Sequence, residues 1–231
     1  IATQQVLKES SSQFVNLDVI VKNKNVGYIM GAGDEVPTFL SQLGYKVTMI
    51  DATEITSENI SKFDAIVVGI RAYNTVEALR FKQEILFDFV KNGKNLIVQY
   101  NTTGKLTTDK LAPFSLRISR DRVTEENAEV RFLAPNHPIL NVPNKITSKD
   151  FEGWVQEQGL YYPDQWDQAF TPIISSNDQG ETPKNGAVLV AKYGKGNYIY
   201  TGLSFFRELP AGVPGAYRLL ANMIALTHNE K

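Results

Sequence analysis

Strand-like and helix-like segments alternate through the first hundred residues, and this alternation constrains the fold more than any other feature. Residues 25–30, 45–50, 63–70 and 95–100 are rich in apolar residues and are typical of buried strands. Between them, apolar side chains recur at helical spacing. Strands that alternate with helices in this way indicate a doubly wound α/β fold built on a parallel sheet. We therefore expect a central parallel sheet of about five or more strands, with helices on both faces.

The first strand is followed by a glycine turn at residues 31–33 that has two possible interpretations. Asp51 lies about 20 residues further on, where dinucleotide-binding folds place the acid that binds ribose. However, Val36 stands in place of the third glycine, and Asp34 and Glu35 would repel a pyrophosphate at this helix start. A tight turn followed by a helix with Asp34 as its N-cap is the favoured interpretation.

The regular alternation ends after residue 104 and returns near the C-terminus. Residues 111–121 and 123–133 predict short strands within an irregular excursion that spans residues 105–170. Residues 187–202 predict a β-hairpin, which we expect to extend one edge of the sheet. Residues 204–208 predict a loop, and residues 215–227 predict a closing helix.

The chain of 231 residues is long enough for one large domain. We interpret residues 24–231 as a single α/β domain. Residues 1–23 are interpreted as a lead-in segment or the end of a preceding domain, with an alternating strand pattern at residues 13–22. Because the sequence begins at Ile1 without an initiator methionine or a signal peptide, we expect it to be a piece of a longer polypeptide.

The composition excludes several classes of function. The chain has no cysteine, which excludes disulfides, thiolate metal sites and a cysteine nucleophile. Its two histidines, His137 and His228, leave little material for metal binding, so we predict no metal and no cofactor. A net charge of −1 gives no indication of nucleic-acid binding, and no apolar run approaches the roughly 18 residues of a membrane span. The localisation is not specified by the sequence, although the lack of free thiols favours an extracytoplasmic site.

Four segments resemble known families. Residues 92–104 resemble the helix-to-strand passage of β-galactosidase trimerisation domains, and residues 137–140 and 191–204 resemble ThuA-like sugar-utilisation proteins. Residues 26–37 resemble the domain that follows the catalytic domain in some bacterial PIG-L (LmbE-type) deacetylases. Together these resemblances imply a flavodoxin-like fold of the class I glutamine amidotransferase type, with a C-terminal hairpin and helix.

The chain departs from these families at the positions that carry chemistry. A nucleophile is expected at the sharp turn after a central strand, near residues 100–103, where amidotransferase relatives have a cysteine. This sequence has Tyr100, Asn101 and Thr102 there. No histidine is followed by a glutamate two residues later, so glutaminase activity is excluded. The zinc motif of the deacetylases is also missing, since His137-Pro138 continues with two apolar residues. The resemblance therefore implies that a catalytic domain lies upstream in the same polypeptide.

Polar residues follow the third and fourth predicted strands, whose carboxyl ends meet at one edge of the sheet. We predict a pocket for a hydroxylated ligand such as a sugar, either a neutral one or an acidic sugar paired with Arg71, with a rim supplied by the loop after the hairpin. The candidate residues are Arg71, Tyr73, Asn74, Tyr100, Asn101 and Thr102, with Phe205, Phe206, Arg207 and Glu208 at the rim. The alternative is that Arg71 pairs with an acidic residue and the aromatic rings pack in the core.

An aromatic group between residues 150 and 167 has two possible roles as well. Its members could stack on sugar rings or could cover the core or a partner domain; they are Phe151, Trp154, Tyr161, Tyr162 and Trp166. Acid–base pairs for glycoside hydrolysis could be formed by Glu152 with Glu157 or by Asp34 with Glu35.

Two functional hypotheses follow. The first is a non-catalytic accessory or ligand-binding domain of a carbohydrate-active enzyme of the PIG-L type. The second is a ThuA-like sugar-metabolism enzyme that uses carboxylates near the crevice. In both hypotheses, the connection with carbohydrate rests only on the resemblance of the fold.

Overall fold

The computed structural model of the protein describes residues 15–226 and contains an eight-stranded main sheet. The strands are β1 Asn25–Ile29, β2 Lys46–Met49, β3 Ala65–Val68, β4 Asn95–Gln99, β5 Leu116–Val123, β6 Arg131–Phe132, β7 Gly159–Trp166, β8 Phe170–Ser176, β9 Lys184–Tyr193 and β10 Gly196–Thr201. The helices are α1 Val36–Gln42, α2 Ser57–Ile60, α3 Ala72–Thr75, α4 Gln83–Lys91, α5 Phe205–Glu208 and α6 Pro214–Ala225.

Five neighbouring strands of the main sheet are parallel, in the order β2-β1-β3-β4-β10. Strand β3 lies in the interior and pairs with β4 so that Val67 is opposite Ile97. Every residue of β3 and β4 is buried, which is typical of parallel strands covered on both faces. The predicted doubly wound α/β fold is confirmed.

Alternate residues of the central strands face two separate layers of the core. Val67 and Ile97 lie in the layer that contains α1 and α6, whereas Ile66 and Leu96 lie in the layer that contains α2 and α4. This alternation follows from the two-residue period of a strand. The prediction of helices on both faces is therefore confirmed.

The hairpin of β9 and β10 does not extend an edge of the sheet, so this part of the prediction is wrong. Strand β10 lies in the interior because it pairs in parallel with β4. On its other side β9 pairs with β8, and β6 forms the outer strand. The apolar pattern of a hairpin shows that both strands are buried, but it does not show which strand will be their neighbour.

The excursion after β4 is only partly separate from the main sheet. Strands β5 and β7 form a two-stranded antiparallel sheet of their own, in keeping with the irregular pattern of this segment. Strands β6 and β8, in contrast, join the main sheet.

Three further elements differ from the predictions. The helix predicted at residues 77–91 is divided into a 3₁₀ turn, Glu77–Phe81, and α4, and the loop predicted after the hairpin contains α5. The strand predicted at residues 13–22 is not formed in its described part, residues 15–22, although its burial alternates. Its backbone at Ile20 bonds to the Asn144 side chain instead of a strand. Residues 13 and 14, and residue 227 of the predicted closing helix, lie outside the described residues.

Candidate ligand site at the carboxyl edge of the sheet

The loops that follow β3 and β4 are joined by hydrogen bonds into one unit, which we call the first rim (residues 70–74 and 100–102). The Arg71 amide donates to the Tyr100 carbonyl at 2.8 Å. The Tyr73 amide donates to Asn101 Oδ1 at 2.9 Å, and the Thr102 amide donates to Asn74 Oδ1 at 2.9 Å. The two predicted loops are thus neighbours, as expected for adjacent parallel strands.

Several side chains of the first rim form hydrogen bonds within the protein and are not available to a ligand. Asn101 is fully buried, and its amide nitrogen donates to the Gln99 carbonyl at 3.0 Å. Tyr73 is also fully buried, and its hydroxyl donates to Gln83 Oε1 at 3.2 Å, inside the core. Asn74 Nδ2 donates to two carbonyl groups. These three residues therefore position the loops, whereas Arg71 is exposed and Thr102 is half-buried. Tyr100 is only 6% exposed.

A second rim (residues 155–161 and 203–208) faces the first one and is held largely by charged groups. Glu157, only 7% exposed, accepts an ion pair from Arg207 at 3.2 Å and another from Arg122 at 3.5 Å. Arg207 also donates to the Gln156 side chain. The backbone joins the two parts of the rim, since the Ser204 amide donates to the Gln158 carbonyl at 3.1 Å.

Three aromatic rings, one from the first rim and two from the second, contact one another, and we call them the aromatic face (Tyr100, Tyr161 and Phe206). Tyr100 and Tyr161 are stacked, with centroids 6.0 Å apart and planes 9° apart, and Phe206 lies 5.5 Å from Tyr100. The Arg207 guanidinium lies 4.8 Å from the centre of the Phe206 ring. Tyr161 and Phe206 are half-buried. Phe205, predicted at the rim, is instead fully buried and packs against Trp154.

Strained backbone is concentrated around the aromatic face. Within residues 15–226, four non-glycine residues have a positive φ, and three of them belong to the rims: Arg71 at 56°, Gln156 at 68° and Tyr161 at 52°. Such conformations are uncommon for residues with a Cβ and often accompany function. The sequence predicts the sharp strand-to-helix turn near residues 100–103. In the structure the strained turn follows β3 instead, and it carries an arginine.

Glu208 is a fully buried carboxyl group in the second rim. Its Oε2 accepts a hydrogen bond from the Val155 amide at 3.0 Å, and its Oε1 lies 3.1 Å from Ser204 Oγ. Burial raises the pKa of Glu208 to about 7. Ser204 Oγ has a shorter contact, 2.6 Å, to the Glu157 carbonyl. Since a serine has one proton to donate, this contact leaves Ser204 Oγ free to accept a hydrogen bond from Glu208 when that carboxyl group is protonated.

Asp34 is a half-buried carboxylate at the same edge of the sheet. The Tyr28 hydroxyl donates to it at 2.6 Å, and the amides of Val36 and Ile70 donate at 3.0 and 3.4 Å. Burial raises the pKa of Asp34. The N-cap of α1 is Glu35, not Asp34 as predicted. Asp34 is the residue before the N-cap, and its carboxylate accepts hydrogen bonds from the Tyr28 hydroxyl and the Val36 amide.

Other candidates have structural roles. Asp51 accepts a hydrogen bond from the Thr53 amide at 2.8 Å and begins a 3₁₀ turn, and His137 begins another. In the aromatic group, Phe151, Trp154 and Tyr162 are buried in the core, and only Tyr161 joins the aromatic face.

The described residues contain neither a cluster of metal ligands nor a membrane-spanning helix. In residues 15–226, no three acidic or histidine side chains are grouped closely enough to hold a metal ion; His228 lies outside this range. No helix in the same range is long and apolar enough to cross a membrane.

Solved structures share this architecture at low sequence identity. A cytoplasmic protein from Salmonella typhimurium superposes with a TM-score of 0.58 at 13% identity, over 88% of this chain and 98% of its own. A protein from Bacteroides uniformis described as ThuA-like gives a TM-score of 0.51 at 13% identity, over 90% of this chain and 92% of its own. A Thermoplasma acidophilum protein described as a GMP synthase component gives 0.52 at 10% identity, over 88% and 94%. No family model and no curated protein sequence matches the chain.

These likenesses show the fold. They agree with the amidotransferase-like and ThuA-like architecture that the sequence segments implied. At such low identity they carry no information about activity, so function has to be argued from the residues of the site.

Proposed function

We propose that the chain is a carbohydrate-binding module whose site is the aromatic face, and that it performs no chemistry on its ligand. The observation that carries the proposal is the group of three rings at the carboxyl edge, of which Tyr161 and Phe206 are half-buried, flanked by Arg71 and Arg207. Aromatic rings offer apolar surface to the C–H face of a sugar, and nearby polar groups can bind its hydroxyls.

The hydroxyl groups at the rims support a binding role. In residues 15–226, neither the Tyr100 nor the Thr102 hydroxyl has a basic side chain within hydrogen-bonding distance, and nucleophilic catalysis requires such a base. Ser204 is fully buried, and its hydroxyl donates to a backbone carbonyl.

The module is proposed to accompany a catalytic domain. Residues 26–37 resemble the domain that follows PIG-L catalytic domains, so the proposed partner is a deacetylase of that type in the same polypeptide. In this arrangement the module would hold a sugar near a catalytic centre that it does not itself contain. Assay of the deacetylase activity of the full-length polypeptide, with and without the module, would test this.

Titration calorimetry with neutral and N-acetylated sugars tests the binding proposal. We expect Phe206→Ala to weaken the binding of any sugar that binds the native chain at least tenfold, because one of the two half-buried rings is lost. The matched control is Phe81→Ala, which removes a 74% exposed phenylalanine outside both rims and should leave binding unchanged. The proposal fails if no sugar binds, or if both variants bind as the native chain does.

A second candidate function is supported by the half-buried carboxyl group of Asp34, which lies beside the first rim, accepts a hydrogen bond from the Ile70 amide at 3.4 Å and has a pKa raised by burial. A carboxyl group of this kind could exchange a proton with a sugar, as in the hypothesis of a ThuA-like enzyme. If this is correct, the native chain turns over a sugar and Asp34→Asn abolishes turnover while the melting temperature stays close to that of the native chain. Absence of turnover in a panel of sugars that do bind leaves the binding module as the function.

A further inference from the structure

Arg71 is the unpaired arginine of the described chain. The sequence contains eight arginines, all within residues 15–226. The other seven guanidinium groups each have a hydrogen-bond or ion-pair partner in this range. The Arg71 guanidinium has none in the described residues, and its side chain is exposed. The alternative considered from the sequence, in which Arg71 pairs with an acid, is therefore not observed there.

The charge of Arg71 acts on the aromatic face. Burial raises the pKa of the Tyr100 hydroxyl, and the positive charges of Arg71 and Arg207 oppose that rise. The Arg71 amide also donates to the Tyr100 carbonyl at 2.8 Å, and the Arg207 guanidinium lies 4.8 Å from the centre of the Phe206 ring, so both arginines adjoin the face.

The nearby acidic groups are already engaged. Glu157 is shared by Arg207 and Arg122, and Asp34 accepts hydrogen bonds from Tyr28, Val36 and Ile70. No carboxylate in residues 15–226 forms an ion pair with Arg71, so its guanidinium group remains available to a ligand.

The backbone conformation of Arg71 adds an independent indication. Its φ of 56° and ψ of 19° lie in the left-handed region, where glycine and asparagine are the usual residues. An arginine here costs stability, and no partner in the described chain compensates for it. Such strain is commonly kept where the side chain has a function.

We propose that the ligand of this site is an anionic sugar, whose carboxylate or sulfate group pairs with Arg71 while its ring lies on the aromatic face. This inference rests on the proposed function, since it names the class of carbohydrate that the site selects. A guanidinium group binds a carboxylate or sulfate through two parallel N–H donors, which gives directional specificity as well as charge.

Titration calorimetry with three related sugars tests the inference: galactose, galacturonate and galactose 6-sulfate. We expect at least one of the two anionic sugars to bind the native chain at least tenfold more tightly than galactose. Comparing the two identifies which anionic group is preferred. The advantage should shrink as salt is raised from 50 to 500 mM, because salt screens an exposed ion pair.

Substitutions at Arg71 locate the anion. Arg71→Gln should remove the advantage of the anionic sugar over galactose, and Arg71→Lys should retain part of that advantage. The matched control is Arg80→Gln, which removes an exposed guanidinium paired with Glu77 and should change nothing. Circular dichroism and the melting temperature of each variant establish that it is folded.

The possible failures are distinguishable. If galactose and both anionic sugars bind equally, the inference is overturned but the carbohydrate site stands. If Arg71→Gln keeps the full advantage, the anion lies elsewhere and the assignment to Arg71 is wrong. If none of the three sugars binds and the neutral and N-acetylated sugars also fail, both the inference and the proposed function are overturned.

Discussion

The two rims of the site do the same task with different chemistry. In the first rim, neutral amide side chains hold the backbone, as Asn101 does for Tyr73 and Asn74 does for Thr102. In the second rim, Glu157 bridges two arginines and the buried carboxyl group of Glu208 receives the Val155 amide. Neutral hydrogen bonds change little with pH or salt, whereas ion pairs and titrating groups respond to both. One side of the site is therefore insensitive to solution conditions, and the other side is sensitive to them.

The largest expected effect is the loss of the Asn101 side chain. Asn101→Ala leaves the buried Tyr73 amide and the Gln99 carbonyl without their partner, and each such group costs about 1–3 kcal/mol. We expect the free energy of unfolding in urea to fall by about 4 kcal/mol, equally at pH 5 and pH 8. The control is Thr102→Ala, which leaves the backbone hydrogen bond to Asn74 in place. A loss that varied with pH would contradict the neutral character of this rim.

Glu208 should make the second rim dependent on pH. Its pKa rises to about 7 in the folded state from an unfolded value near 4.3. Since the folded state holds the proton more tightly, the contribution of Glu208 to stability is fully present below about pH 4 and is lost as pH rises through about 7. Each unit of pKa difference corresponds to about 1.4 kcal/mol, so the loss is on the order of 3 kcal/mol.

Glu208→Gln removes this titration and tests the sign. Urea unfolding of the native chain and the variant at pH 4 to 8 should show the variant gaining stability relative to the native chain as pH rises. The difference between the two chains removes the contribution of the other acidic groups. A difference that is constant across this range would show that folding does not raise the pKa of Glu208.

A smaller effect is expected for the ion pairs of Glu157. Glu157→Gln should lower the free energy of unfolding by about 1–2 kcal/mol, because the carboxylate is buried while its arginine partners are partly in water. The loss should shrink in 0.5 M salt. The control Glu77→Gln, which breaks an exposed pair with Arg80, should change stability by about 0.5 kcal/mol or less. Equal losses for both variants would mean that burial adds nothing to the second rim.

The smallest effect is a gain. Arg71→Gly removes the Cβ that strains the left-handed backbone at a φ of 56°. We therefore expect the free energy of unfolding to rise by about 1 kcal/mol. Arg71→Ala keeps a Cβ and should give no such gain. A stabilised glycine variant that no longer distinguishes galacturonate from galactose would show that the first rim gives up stability for recognition. A destabilised glycine variant would contradict the strain.

The parallel half of the fold could be predicted from the sequence because its buried strands read as unbroken apolar runs, such as residues 65–68. The adjacency of the loops after β3 and β4 followed from that arrangement. The position of β10 could not be predicted, since pairing of Asn197 with Asn95 depends on contacts across the whole excursion.

The site was predictable only in part for a related reason. Residue type identified Arg71 and Tyr100 as polar or aromatic groups at the right edge. The sequence could not show that the side chains of Asn101 and Tyr73 form hydrogen bonds with neighbouring residues of the protein. Nor could it show that Tyr161 has a positive φ and stacks on Tyr100. Both facts arise from tertiary packing, which propensity and periodicity do not report.

The late arrival of β10 has a consequence for how the protein is made. Asn95 of β4 and Asn197 of β10 are paired although 102 positions separate them. Until the ribosome has delivered residues 196–201, one side of β4 has no strand to bond with, although all five of its residues are buried in the finished protein. An open, apolar strand edge is a template for pairing with other chains. We therefore expect a nascent chain stalled before residue 196 to depend on chaperones, and one stalled well beyond residue 201 to be released from that dependence.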